Sequence, residues 1–382
     1  MKGWSMGLLD RERATLHEHL PGLDEFLAGS LLSDLESPGG KAIAEFRDHG
    51  GPALLVPTEH SGRGATALDA LRIQRAIGSR SPSLAVATTM HHFSVASLVA
   101  LSETSGGMEW MLLEGIATGN LLLASGFSEG RTDGGILRPT MKANVTDEGV
   151  RLTGVKRPCS LARSMDLLTA SVQVPRLDGR GDQLAVAMVP AQSEGLRVTP
   201  FWSTFALAGA ESDQVSLDNV LVPADLLVRT EVSGAEQLDD IQTAGFVWFE
   251  LLMMGSYLGA ASALVERVLD NERVPESERL RLVVDVEGAM AAAENVARQI
   301  PSGQRDRRLL ADSLYARYAI QGAIARVVPH AIELLGGLNF IGSDDTAYLA
   351  GAVNGLGFHP PSRAKMAGPL LGHLAGAPLE IL

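Results

Sequence analysis

The stretch Ser212-Asp213-Gln214-Val215-Ser216-Leu217-Asp218-Asn219-Val220-Leu221-Val222-Pro223 decides the architecture. Val215 and Leu217 alternate with Gln214 and Ser216, the two-residue period of a half-buried strand. Working back along the chain, Val150-Arg151-Leu152-Thr153 and Leu184-Ala185-Val186-Ala187-Met188-Val189 have the same short, partly β-branched character. Asp-Glu-Gly, Asp-Gly-Arg-Gly and Ser-Glu-Gly turn signals separate these runs, so they read as antiparallel strands of one β-domain. On either side the texture is helical. Ala67, Ala70, Ile73 and Ile77 recur at helical spacing, and apolar stretches run from Ser83 to Leu101 and from Met108 to Ala124. Past the strands, Ala244 to Val265 is apolar all round apart from Glu250, which predicts a helix buried in a bundle or at a subunit interface. Asp285–Ile300 and Arg308–Leu335 read as amphipathic helices, with Pro329 kinking the second and Gly336-Gly337 ending it. Val56-Pro57 to Gly62-Arg63-Gly64 reads as a loop.

The resulting class is α+β and multidomain, with a series rather than an alternation of elements. The expected division is an N-terminal helical domain over 1–120, a central antiparallel, barrel-like β-domain over 121–232, and a C-terminal four-helix bundle over 233–382. The 382 residues, with 46% hydrophobic and 20% charged, are enough for a large core. The net charge of −13 argues against a nucleic-acid or membrane-surface partner. A single cysteine excludes a disulfide framework and a multi-cysteine metal site. Residues 1–20 carry scattered charges without an apolar core, so no secretory signal is read there and a cytoplasmic location is expected. No metal is expected, because His91, His92 and His359 lack further ligands at suitable spacing. The chain also lacks a strand–Gly-x-Gly-x-x-Gly–helix run and a Gly-x-Ser-x-Gly elbow.

Several patterns together resemble the acyl-CoA dehydrogenase superfamily of flavoproteins. They are Val56-Pro57-x-Glu59-x-x-Gly62-x-Gly64, the 212–223 stretch, and Glu333-Leu-Leu-Gly336-Gly337-x-x-Phe340. Their order and spacing span nearly the whole chain. The resemblance implies that Phe127-Ser128-Glu129-Gly130-Arg131-Thr132-Asp133-Gly134-Gly135 and Lys156-Arg157-Pro158-Cys159-Ser160 lie against a flavin ring. Ser128 and Ser160 would supply its hydroxyl contacts, with Phe127, Gly134 and Pro158 beside them. Arg273, Gly336 and Gly337 fall where the family contacts cofactor, in part that of a neighbouring subunit. A homo-dimer or homo-tetramer follows, with FAD as cofactor and FMN as the alternative. The departures are plain: Pro158 replaces the stacking tryptophan, and the family's Arg-x-x-Phe-Gly is reduced to Arg273-Val-Pro-Glu-Ser277.

The implied activity is α,β-dehydrogenation of an acyl thioester, with electron-transfer flavoprotein as electron acceptor and Glu250 or His359 as base. The usual Tyr-Glu-Gly-Thr carboxylate is absent. Glu250 lies one residue, about 100° of helix, from the position used by members that take their base from the first C-terminal helix. A lone carboxylate on an apolar helix reads first as a structural ion pair, within the chain or across a subunit interface, and only second as a base. The alternative is a two-component monooxygenase that receives reduced flavin from a separate reductase. The chain resembles that branch, typified by dibenzothiophene monooxygenase, at His92, at Cys159-Ser160 and at His359-Pro360, where histidine and serine assist the oxygen chemistry. A histidine in any of these places also reads as a core residue, and Cys159 as a packing residue. A catalytically silent subunit of a mixed oligomer is the third reading. Under the two enzymatic readings the small-molecule partner is an acyl thioester or another small hydrophobic substrate.

Overall fold

A computed structural model describes residues 7–105, 107, 109–131, 139–176, 179, 181–229, 240–300 and 307–381. Among the described residues, seven α-helices come first: α1 (Asp10–His19), α2 (Leu23–Gly29), α3 (Leu32–Leu35), α4 (Ala42–Asp48), α5 (Ala67–Arg80), α6 (Pro82–Ser105) and α7 (Glu109–Gly119). Strands follow: β1 (Leu123–Gly126), β2 (Lys142–Thr146), β3 (Gly149–Cys159), β4 (Leu167–Pro175), β5 (Asp182–Pro190), β6 (Leu196–Thr199), β7 (Asp213–Val222) and β8 (Leu227–Arg229). The chain closes with α8 (Asp240–Leu269), α9 (Glu276–Gln299), α10 (Arg307–Leu335), α11 (Gly337–Gly342), α12 (Asp344–Ala352) and α13 (Arg363–Leu374). The helix–strand–helix series read from the sequence is the observed one.

Local chemistry sets the main boundaries. Thr66 caps α5 through a reciprocal box with Asp69, and Pro82 opens α6 where its missing N–H costs nothing. Gly336, at φ 81°, ends α10 as the Gly-Gly pair predicts, while that helix continues through Pro329. The apolar stretch 108–124 is divided: Asn120, at φ 53°, ends the helical run, and Leu123 begins a strand. The loop over 56–64 is also observed. A Cβ at Gly62 would sit 1.9 Å from the Val56 carbonyl oxygen, so the chain can fold back on itself only with glycine there.

The sheet runs β6-β7-β3-β2-β4-β5-β8, with β1 beside β4. The expectation of a purely antiparallel sheet is corrected here. β1 pairs parallel with β4, and Lys142 of β2 makes a further parallel bridge to Gln173 of β4. The cause is topological. The β2–β3 hairpin intervenes between β1 and β4, so the chain returns to the end from which it started before β4 begins. The β3–β7 register breaks between Lys156 and Cys159. Pro158 lies in that break, where a residue without an N–H costs no ladder bond.

α8 is the central helix, packed by α5, α6, α9 and α10. Leu251, Leu252, Met253, Met254, Leu258 and Leu264 on it have no exposure. Each such side chain contributes about 2 kcal/mol of burial. α6 and α8 are both long and apolar enough to cross a membrane, yet most of each is buried inside the protein. α5 and α8 cross backbone to backbone: a Cβ on Gly78 would lie 2.2 Å from Ser256 O, and one on Gly259 2.2 Å from Arg75 O. Beneath this crossing, the fully buried Arg75 donates to Glu12, Ser262 and Glu287, joining α1, α8 and α9.

A second buried knot surrounds Glu36. Its carboxylate accepts from Ser81 Oγ, Ser83 N, Ser83 Oγ and Tyr348 Oη, and Tyr348 Oη in turn accepts from Leu207 N. Burial raises the Glu36 carboxyl above its ordinary range, against the pull of these hydroxyls. One carboxylate thus holds the end of α3, the start of α6, α12 and the connection between β6 and β7.

Candidate active site

β1 delivers its last residue, Gly126, to the segment Phe127-Ser128-Glu129. Glu129 anchors that segment. Its carboxylate accepts from Thr140 N and Oγ1, from Met141 N, and at 2.9 Å from Lys156 Nζ. Lys156 is fully buried and donates also to Ser171 Oγ at 3.1 Å. Burial alone would raise the Glu129 carboxyl, but Thr140 and Lys156 outweigh it and hold it below the ordinary range. Burial lowers the Lys156 ammonium, with Glu129 opposing. The segment lies directly on β3: Arg157 N donates to Ser128 O at 2.9 Å. So Ser128 and Glu129 lie beside Arg157, on the edge formed by the last residues of β3. Ser160 is buried and shares a 2.9 Å hydrogen bond with Ser212 Oγ. The Cys159 thiol is buried and pushed up to about 12 by that burial, so it stays a thiol, as a packing residue does.

From this edge a line of rings crosses the molecule. The Phe93 ring, on α6, lies 5.8 Å from Phe127 and 5.6 Å from Phe249 on α8. Phe249 lies 6.1 Å from the His359 ring, and His359 lies 5.6 Å from the Tyr257 ring. Tyr257 Oη and His359 Nε2 are 2.7 Å apart. Burial, with the neighbouring Arg317 charge, pushes the imidazole down to about 3, so it is neutral at physiological pH.

Glu250 stands beside Phe249 but does not face this line as a free carboxylate. It has no exposure, and both its oxygens accept from Arg317 Nη1 at 2.8 Å. Burial raises its carboxyl to about 7, with the Arg317 charge opposing the shift. Arg317 Nη2 donates to the Leu356 and His359 carbonyls at 3.0 and 2.5 Å. The geometry is therefore that of a buried ion pair holding the turn that carries His359. A base acting on substrate needs an oxygen free to reach it.

His92 packs between α6 and α4. One residue before Phe93 on α6, its ring lies 5.7 Å from Phe46 on α4 and 5.2 Å from His91. Neither of its nitrogens has a hydrogen-bond partner among the described residues. Burial, and then His91, holds it well below its ordinary pKa. The 100° between successive helical residues separates it from the ring line that Phe93 joins. His91 is a structural tie: Nε2–H donates to Pro52 O at 3.0 Å, and Nδ1 accepts from Leu123 N at 3.1 Å. Arg273 lies in the exposed turn between α8 and α9, Gly336 separates α10 from α11, and Gly337 opens α11. None of the contacts joining 127–129, 156–160 and 359 involves them. Gly134 lies outside the described residues.

The sequence reading missed Phe93, Tyr257 and Arg317. Tyr257 is seven residues after Glu250, two turns along the same face of α8. Arg317 could have been sought as the charge that neutralises Glu250.

The edge suits the face of a planar ring. Phe127 and Pro158 are only partly buried, and Ser128 Oγ accepts only a long 3.4 Å bond from Gly130 N. The partly buried Phe127 and Pro158 and the weakly engaged Ser128 hydroxyl are of the kind that would hold a flavin ring.

No family model matches the chain. It is 45% identical over 380 residues to isobutylamine N-hydroxylase of Streptomyces viridifaciens, covering 98% of this chain and 100% of that one. Among solved structures it is similar to nitrososynthase from Micromonospora carbonacea var. africana, with a TM-score of 0.83 and 20% identity over 97% of this chain and 100% of that one. It is similar to FMN-bound TdsC from Paenibacillus sp. A11-2, with a TM-score of 0.81 and 16% identity over 97% and 98%. KijD3 in complex with FMN and a dTDP-linked amino sugar gives a TM-score of 0.80 and 19% identity over 97% and 96%. With the helix–sheet–helix fold and a full-length relative at this identity, the chain belongs to the flavin-dependent oxidoreductases of acyl-CoA dehydrogenase fold, in the branch that holds isobutylamine N-hydroxylase.

Proposed function

We propose that this protein N-hydroxylates a small aliphatic primary amine, using dioxygen and reduced flavin, FMN or FAD, delivered by a separate reductase. The observation that carries the reading is the 45% identity to isobutylamine N-hydroxylase along the whole chain. It moves the weight from acyl-thioester dehydrogenation to the monooxygenase alternative. The overall change balances as amine, dioxygen and reduced flavin giving hydroxylamine, water and oxidised flavin. Bound reduced flavin supplies the two electrons.

The chain's own residues supply the rest. Phe127, Pro158 and Ser128 hold the ring, with the Lys156–Glu129 pair fixing their loop. Phe93, Phe127 and Phe249 give an aliphatic chain an apolar surface and keep water from the reacting nitrogen. His359, neutral and weakly basic, acts as a neutral N–H donor rather than a cation that would repel an ammonium group. Ser160 and His92 act on the frame of the site, Ser160 through Ser212 and His92 in the packing against α4. Arg273 and Gly336-Gly337 serve a neighbouring subunit of a homo-oligomer.

The test is to incubate the purified chain with a flavin reductase, NADH, FMN, air and isobutylamine, and to quantify isobutylhydroxylamine by mass spectrometry. Product that depends on all components is expected. If no primary amine of a C3–C6 panel is hydroxylated, and an acyl thioester bleaches the flavin-loaded protein without oxygen, the dehydrogenase reading replaces this one.

A further inference from the structure

Two residues outside the expected set converge on His359. Tyr257 is 1% exposed, and its hydroxyl lies 2.7 Å from Nε2. A buried hydroxyl hydrogen needs an acceptor, and leaving it without one is costly. If Nε2 carried a proton, it would donate to the Tyr257 oxygen and leave the Tyr257 hydrogen with no acceptor that the described contacts provide. If Nε2 is bare, a single bond satisfies both groups. The 353–357 turn is shaped to allow this contact. A Cβ on Gly355 would sit 2.4 Å from Tyr257 Oη and 3.0 Å from its Cε1. Arg317 holds the same turn by its backbone, through the Leu356 and His359 carbonyls, while Glu250 neutralises it and Tyr318 Oη donates to Pro361 O at 2.9 Å.

We infer that Tyr257 and Arg317 are positioning residues for His359: Arg317 fixes the turn, and Tyr257 donates to Nε2, so the imidazole carries its proton on Nδ1. The link to turnover rests on the proposed N-hydroxylation; the tautomer does not. The burial that keeps the Tyr257 hydroxyl protonated works in the same direction.

The tautomer is read by NMR of protein labelled with nitrogen-15 histidine, with the His359→Asn protein assigning the signal. The expected spectrum shows a protonated Nδ1 and a bare Nε2 at His359. In Tyr257→Phe both nitrogens should move to intermediate shifts, as two tautomers exchange. Hydroxylamine formed per reduced flavin should fall roughly tenfold, as for loss of one good hydrogen bond, with KM for the amine unchanged. Arg317→Lys keeps a cation for Glu250 but cannot span both carbonyls. It should broaden the His359 signals and lower coupled yield while circular dichroism stays native. A protonated Nε2 in the native protein, or an unchanged tautomer in Tyr257→Phe, overturns the inference. So does native yield with sharp His359 signals in Arg317→Lys. The tautomer is measured without turnover. Failure of the amine assay with an Nδ1–H imidazole therefore sinks the function alone, and active enzyme with an Nε2–H imidazole sinks this inference alone.

Discussion

Substituting Glu250 by glutamine separates the two roles a carboxylate on α8 could have. At pH 8, above the value of about 7 to which burial raises it, Glu250 is charged and its pair with Arg317 is complete. Glutamine keeps the shape and one acceptor oxygen but leaves the Arg317 charge buried without a counter-ion. Breaking a buried pair from one side costs about 3–5 kcal/mol. The Leu356 and His359 carbonyls still accept from Arg317, which places the expected loss at about 3 kcal/mol, the low end of that range. Urea unfolding followed by tryptophan fluorescence measures it. The paired replacement Glu250→Leu with Arg317→Met should recover most of the stability, since apolar residues of similar volume often replace a buried pair without loss. The same double variant should stay poor in coupled turnover, because the turn bearing His359 loses its anchor. A catalytic base predicts the reverse for glutamine: native stability and abolished turnover. A stability loss below about 1 kcal/mol in Glu250→Gln, the scale of an ordinary neutral hydrogen bond, would refute the structural reasoning.

Other consequences follow from the same contacts. His91 is fully buried and its pKa is lowered from 6.5 to about 4, so the unfolded chain binds its proton first as pH falls. This contribution is complete above pH 6.5 and should decline by about 3 kcal/mol down to pH 4, a slope that His91→Gln flattens in urea titrations across that window. Gly259→Ala should lower stability by about 1–3 kcal/mol in calorimetry, because its new methyl meets the backbone of α5; the exposed Gly288→Ala, with nothing nearby, should be neutral or slightly stabilising. Lys156→Met should weaken FMN binding roughly tenfold in a fluorescence titration, since Glu129 keeps its Thr140 and Met141 donors and Arg157 N still donates to Ser128 O, while the Lys156 ties from Glu129 to β3 and to Ser171 are lost. Unchanged FMN affinity would show that the loop does not need this clamp.

The fold was legible where the determining physics is local. The apolar spacing over 67–77, the uninterrupted apolar run of α8 and the Gly336 stop each act within a few residues. β1 was not, because Leu121–Ala124 continues the apolar texture of α7 and only the left-handed Asn120 marks the change. The parallel pairing of β1 with β4 was hidden too, since register between segments some 44 residues apart leaves no trace in either. At the site, the contact of Ser128 with Arg157 leaves no spacing signal in the sequence, and only the family resemblance drew the two segments together. Phe93 joins the ring line and the neighbouring His92 does not, because successive residues of α6 face different sides of the helix. Arg317 lies 67 residues beyond Glu250. The sequence shows that such a carboxylate needs a partner without showing which one.

The Glu36 knot bears on how this protein is made. Tyr348 is added to the growing chain 312 residues after Glu36. At roughly 5–20 residues per second, that is a wait of about 15–60 s. During the later part of that wait the first third of the polypeptide is already made, with a carboxylate whose final hydroxyl donor does not yet exist. The Glu36 knot therefore closes only when the chain is nearly complete, so the tie between α3, α6 and the β6–β7 connection should lock after α12 is made.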